Sequence, residues 1–106
     1  MNDSKNNEFP KLSRKEMAIL AMLIGKGEMF GLEMVEASEG ELKRGTIYVT
    51  LQRMAEKGYV ESREEVRMEP EIGIPRRKFK PSGLGEKIFK AQELALRYLE
   101  INLGWS

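Results

Sequence analysis

The run Gly45-Thr46-Ile47-Tyr48-Val49-Thr50-Leu51-Gln52-Arg53-Met54-Ala55-Glu56-Lys57-Gly58 carries two distinct faces. Ile47, Leu51 and Met54 recur at i, i+4 and i+7 and form one apolar stripe. Thr46, Thr50, Arg53 and Lys57 recur at i, i+4, i+7 and i+11 and form a stripe of hydroxyls and cations, read as the opposite one. That period is helical, and it predicts an amphipathic helix from Arg44 or Gly45 to Lys57. Gly58 stands where helices commonly end.

Upstream, Ser13-Arg14-Lys15-Glu16 has the spacing of a capping box and opens a helix through the apolar run Met17 to Ile24. Gly25 and Gly27 are expected to stop it. A second short helix fits Gly31 to Ala37, with Leu32, Met34 and Val35 as its apolar part, and Ser38-Glu39-Gly40 breaks it. Downstream the period changes. Tyr59 to Met68 reads as a charged, partly alternating strand, Glu69 to Pro75 as a loop, and Arg76 to Lys80 as the returning strand of a hairpin. Pro81 ends that strand, and Ser82 caps a last helix from Gly83 to Leu103. This helix carries Phe89, Gln92, Leu96, Leu99 and Leu103 at heptad-like spacing.

Three short helices, a hairpin and a terminal helix give the order of a winged helix-turn-helix with an added helix, mainly α with a small β-hairpin. The expected organisation is a flexible leader over 1–11, a DNA-binding winged-helix unit over 12–81 and a C-terminal dimerisation helix over 82–106. In such folds the third helix enters the major groove and the hairpin rides near the backbone. The groove admits one helix, so its exposed face must offer short hydrogen-bonding and cationic side chains. Between Lys43 and Lys57 there are four cations and one acid, Glu56, and Arg76 to Lys80 adds four cations and no acid. The chain's net charge of +1, from 18 basic and 17 acidic residues, therefore conceals a segregated distribution. Any surface helix has a polar stripe, however, and a lysine-rich edge strand also discourages aggregation. Pattern alone leaves DNA binding and protein contact both open.

The chain contains no cysteine and no histidine, which excludes disulfides, thiolate nucleophiles, Cys/His metal sites and imidazole catalysis. No carboxylate pair or phosphate-cradling loop suggests an enzyme, and no cofactor or metal is expected. Met1 to Pro10 has no apolar signal core, and no apolar run approaches the roughly 20 residues of a membrane span. A cytoplasmic protein that does not touch membranes is expected.

Four segments together resemble the PadR-like transcriptional regulators, over roughly Met17 to Phe89. Met29-Phe30-Gly31-Leu32-Glu33-Met34 is similar to the family's His-Gly-Tyr-Glu-aliphatic segment. Gly45 to Met54 is similar to Gly-Thr-Leu-Tyr-x-x-Leu-x-Arg-Leu and continues into Glu56-Lys57-Gly58-Tyr59-Val60. Pro75-Arg76-Arg77-Lys78-Phe79 resembles the wing's Pro-Arg-x-Tyr-Tyr, and Phe79 to Gly85 its Tyr-x-Leu-Thr-x-x-Gly. Phe30, Leu32 and Pro81 depart from the pattern, and the wing carries Glu64, Glu65, Glu69 and Glu71. The resemblance implies a repressor that dimerises through its last helix and binds double-stranded DNA at a palindromic operator. It further implies Thr46, Tyr48 and Arg53 on the reading helix and Arg76 and Arg77 at the wing. Some relatives respond to small, often aromatic, molecules held between subunits.

The expected DNA-contact set is Lys43, Arg44, Thr46, Tyr48, Thr50, Arg53, Arg76 and Arg77. Three of them have a plainer reading. Thr46 is a helix cap, Tyr48 packs beside Leu51, and Arg53 pairs with Glu56 or Glu36. Arg76 and Arg77 alternate along a strand, so one of them faces DNA, and Arg77 is preferred. Phe89, Leu96, Leu99 and Leu103 are the expected homodimer interface, because they exceed what one small core can cover. Tyr98 and Trp105 are the candidates for an effector cage or, in the plainer reading, cover for the partner subunit. The methionines are read as packing. The competing function is a winged helix used only for protein–protein contact.

Overall fold

The computed structural model describes residues 11–65 and 76–103, with side chains through Ile101. The elements are α1 (Arg14–Lys26), β1 (Met29–Phe30), α2 (Gly31–Ala37), α3 (Ile47–Glu56), β2 (Val60–Glu65), β3 (Arg76–Pro81) and α4 (Gly83–Leu103). Most of the expected leader, the strand tail Val66–Met68, the loop Glu69–Pro75 and Trp105 lie outside the described residues.

α1 opens as its capping box dictates. Ser13 N–H donates to Glu16 Oε1 at 2.8 Å, and Glu16 N–H donates to Ser13 Oγ at 3.1 Å. It does not stop at Gly25, as the sequence led us to expect. A glycine inside a helix costs only about 1 kcal/mol, and Gly25 sits on the exposed side. The end falls at Gly27, whose φ of +96° is open to glycine, and whose N–H donates to Leu23 O at 2.6 Å.

α3 begins later than expected. Lys43 to Thr46 form a turn, with Ile47 N–H donating to Lys43 O at 3.0 Å. At the other end Gly58, at φ +84°, reverses the chain so that Tyr59 N–H donates to Met54 O at 2.8 Å.

A two-residue strand, β1, was not foreseen, because two residues carry no period. It completes an antiparallel sheet of order β1-β3-β2, pairing Met29 with Phe79 and Phe30 with Lys78. β2 and β3 pair from Val60–Pro81 out to Glu65–Arg76, so Pro81 is the last paired residue.

The core collects Ile19, Leu20 and Leu23 from α1, Met34 from α2, and Ile47, Leu51 and Met54 from α3. Val60, Phe79 and Ile88 close it from the sheet and α4. At roughly 1.5–3 kcal/mol per buried aliphatic side chain, this cluster is the main force holding α3 in place. Ser82 ties the start of α4 to the turn between α3 and β2. Its Oγ donates to Gly58 O at 2.5 Å and accepts from Gly85 N–H at 2.9 Å, capping α4 as expected. Gly85 packs so closely that a Cβ there would collide with the Tyr59 carbonyl.

Candidate nucleic-acid interface

The burial of Ile47, Leu51 and Met54 fixes the rotation of α3. At about 100° per residue, Val49 and Glu56 point most directly away from that stripe, with Gln52 and Arg53 beside them. Thr50 does not lie opposite the core. It is half-buried on the flank facing α1, and its hydroxyl donates to Thr46 O at 3.1 Å. Thr46 stands at the N-cap, as its plainer reading had it, but its side chain makes no capping bond. The cap rule ranked the residue type correctly and missed that the Lys43–Thr46 turn already serves the helix start.

Between α3 and the start of α1 runs an open groove of about 830 Å³, lined by Lys11, Lys15, Thr46, Val49, Thr50, Arg53 and Lys57 among others. Lys43, Arg44 and Arg53 are exposed. Among the described residues Arg53 has no ion-pair partner, so the bridges to Glu56 or Glu36 are not formed. Lys57 is committed elsewhere: its Nζ lies 2.7 Å from Glu16 Oε2. The Glu16 side chain is only 8% exposed, against 48% for Lys57. Burial disfavours the charged Glu16 carboxylate, but the Lys57 ammonium and the Ser13 N–H outweigh it and hold its pKa below 4.5. A residue read as part of the cationic stripe is thus the tie between α3 and α1.

Tyr48 is 50% exposed, and its ring packs against Gly31 at the start of α2. A Cβ on Gly31 would lie 2.7 Å from the Tyr48 ring. Glycine at position 31 is what lets the ring approach, so the two family-like segments meet in space.

Most cations on the described strands of the wing are engaged within the chain. Arg76 sits 4.0 Å from the centre of the Phe30 ring and 4.0 Å from Glu65, and Lys78 lies 5.1 Å from the same ring. Lys80 pairs with Glu61 at 3.7 Å. Arg63 grips Glu28 with two bonds of 3.0 Å, which lowers the Glu28 pKa and raises that of Arg63. Arg77 lies on the other side of the strand, donating to Ser62 Oγ at 3.3 Å across from Glu64. Sequence reading missed this partition because Phe30 and Glu28 belong to the unforeseen β1 and its approach.

Along α4, Phe89 is half-buried and packs against the core, bordering a shallow apolar groove with Met17, Ala18, Ala21 and Met22. Gln92, part of the heptad-like series, is bound within the chain. Its Oε1 accepts from Leu12 N–H at 2.8 Å and its Nε2 donates to Leu12 O at 3.1 Å. Beyond it, Leu94, Leu96 and Ile101 are 64%, 50% and 80% exposed, and Leu99 is half-buried. The side chain of Leu103 lies outside the described residues.

Residues 19–81 match the Transcriptional regulator PadR-like family. The chain belongs to that family. Solved structures agree on the fold. A PadR family transcription regulator from hypervirulent Clostridium difficile R20291 superposes with a TM-score of 0.72 at 20% identity, over 87% of this chain and 96% of that one. A PadR-like transcription factor from Bacteroides fragilis gives 0.72 at 19% identity, over 85% and 86%. A PadR family regulator from Eggerthella lenta DSM 2243 gives 0.69 at 19%, over 85% and 78%. No curated protein sequence matches. The family and these three neighbours are transcription regulators. Among the described residues no His/Cys/Asp/Glu group could hold a metal, and no helix is long and apolar enough to cross a membrane.

Proposed function

We propose that this PadR-like regulator is a sequence-specific DNA-binding repressor that acts as a homodimer on a palindromic operator in the cytoplasm. Residues 12–81 would form the DNA-binding unit and α4 the dimerisation arm. The observation that carries the reading is the segregation of charge around α3. Lys11, Lys15, Lys43, Arg44 and Arg53 surround its outer face, while Glu33, Glu36 and Glu39 are exposed on and just after α2. A duplex presents phosphates on both sides of the major groove, and the cations around α3 complement them, with Glu56 the one acid on the outer face of that helix. Lys43, Arg44, Thr46 and Tyr48 would hold the backbone at the helix start, and Arg53 would reach the bases. Thr50, turned toward α1, would act through the position of Thr46. Arg77 is the wing residue for the backbone, since Arg76 is occupied by Phe30 and Glu65. In the dimer, α4 would cover Leu96, Leu99 and Leu103, with Phe89 at its edge. Tyr98 would line the space for an aromatic effector between subunits.

DNA binding of this kind depends on salt. If each half of a dimer neutralises about three phosphates, the logarithmic slope is about −5, at roughly −0.9 per contact. Fluorescence anisotropy on duplex DNA across a salt series measures it, and binding that does not change with salt would end the proposal. One observation favours a second reading, a protein-interaction module. On the described strands of the wing, Arg76, Lys80 and Arg63 are engaged by Glu65, Glu61 and Glu28, which leaves fewer free cations for DNA.

A further inference from the structure

Val49 is an aliphatic side chain that α3 leaves 51% exposed, pointing away from the core among Thr46, Gln52 and Arg53. The core makes no use of it. A β-branched residue adds nothing to an exposed helix turn that a polar residue would not supply at least as well. It lies in the first turn of the helix, the part of a recognition helix that contacts base edges. The exposed charges that share the groove with it are cations, Lys11, Lys15 and Arg53, while the acid Glu16 is buried against Lys57, so an acidic or phosphate-bearing surface is the complement, and a purely apolar partner is not.

The major groove of DNA offers one apolar feature, the C5-methyl group of thymine, and an aliphatic side chain is its usual reader. We infer that Val49 is a specificity-determining residue whose methyl groups pack on the thymine methyl of one A·T pair in each half-site. Gln52, one turn further along the same face, is placed beside it. Its carboxamide makes only a 3.5 Å contact to Glu56 and can be redirected to the adenine edge. Exposed single aliphatic residues are common and need no explanation by themselves. Here the flanking cations and the position in the first turn of α3 supply it.

The inference rests on the proposal that α3 enters the major groove, and the experiment separates the two. Sequences bound by the full-length protein are selected from random duplex DNA. Each thymine of the recovered site is then replaced by uracil, which removes only the methyl. Wild type should lose roughly fourfold in affinity per half-site at one thymine position, the value of burying one methyl-sized group. Val49→Ala should bind with the weaker affinity and show no further loss at that position. Because Val49 is exposed, the variant keeps its fold, and thermal melting checks this. Recovered half-sites without thymine overturn the inference, as do sites indifferent to uracil or a uracil penalty undiminished in Val49→Ala. If Arg53→Ala still weakens binding to the recovered site, the major-groove reading survives such a failure. If selection recovers no site at all, both fall.

Discussion

Glu16→Gln isolates the tie between α1 and α3. The amide preserves the shape of the side chain and, like the carboxylate, can accept from Ser13 N–H, so the capping box is retained. What disappears is the charge facing Lys57 Nζ across 2.7 Å. Fully exposed pairs contribute about 0–1 kcal/mol, and breaking a fully buried pair costs about 3–5 kcal/mol. This pair has one buried and one half-exposed member, and the amide also relieves the burial of the carboxylate. A loss of about 1 kcal/mol at neutral pH is expected. Lys57→Met should cost more than Glu16→Gln, because it strands the charged carboxylate in its buried site. The double variant should recover part of that loss.

The pH dependence gives the sharper test. The folded Glu16 pKa lies below its ordinary 4.5, so its stabilising contribution is complete above 4.5 and fades as pH falls through the lower folded value. Below that value the protonated carboxyl and the amide are nearly equivalent. Urea unfolding followed from neutral pH down through the acid range should therefore show the difference between wild type and Glu16→Gln shrinking toward zero. A difference that stays constant, or grows in acid, would refute the ion-pair account.

Leu96→Glu combined with Leu99→Glu should yield a folded monomer, since neither side chain belongs to the core, and sedimentation velocity showing an intact dimer would remove α4 from the interface. Gly85→Ala should cost about 1–3 kcal/mol in thermal or urea unfolding, because its Cβ meets the Tyr59 carbonyl and backbone must move. Arg77→Ala should flatten the salt slope of DNA binding by about one to two units, as a dimer carries two copies. An unchanged slope would mean that the wing stays off the DNA.

The fold was legible because its signals are local and strong. The Ser13–Glu16 box, the Ile47–Leu51–Met54 stripe and the Gly58 stop each specify one element without help from the rest of the chain. The short β1 was not legible, since Met29 and Phe30 become a strand only when β3 supplies partners. The cationic character around α3 was visible in the sequence, but the disposition of individual charges was not. Lys57 looked like a member of the outer stripe until Glu16, distant in sequence and buried, proved to hold it. Thr50 illustrates the limit of spacing. Its place four residues after Thr46 does put the two on one face, but that face borders the groove toward α1 instead of lying opposite Ile47, Leu51 and Met54. The pairing of the wing's charges likewise depends on register, Glu65 opposite Arg76 and Glu61 opposite Lys80, which composition does not encode.

Arg53→Ala tests the central claim most directly, because Arg53 and Leu51 belong to the same helix but to opposite roles. Arg53 is exposed and unpaired among the described residues, so its loss should change unfolding free energy by no more than about 0.5 kcal/mol. Leu51, fully buried, should cost about 2–5 kcal/mol as alanine. Anisotropy titrations on the selected operator and on bulk DNA then decide the matter. The account predicts that Arg53→Ala loses roughly 1–3 kcal/mol on the operator and much less on bulk DNA. Equal operator affinity for Arg53→Ala and wild type, with both folded, would contradict the claim that this face of α3 reads DNA.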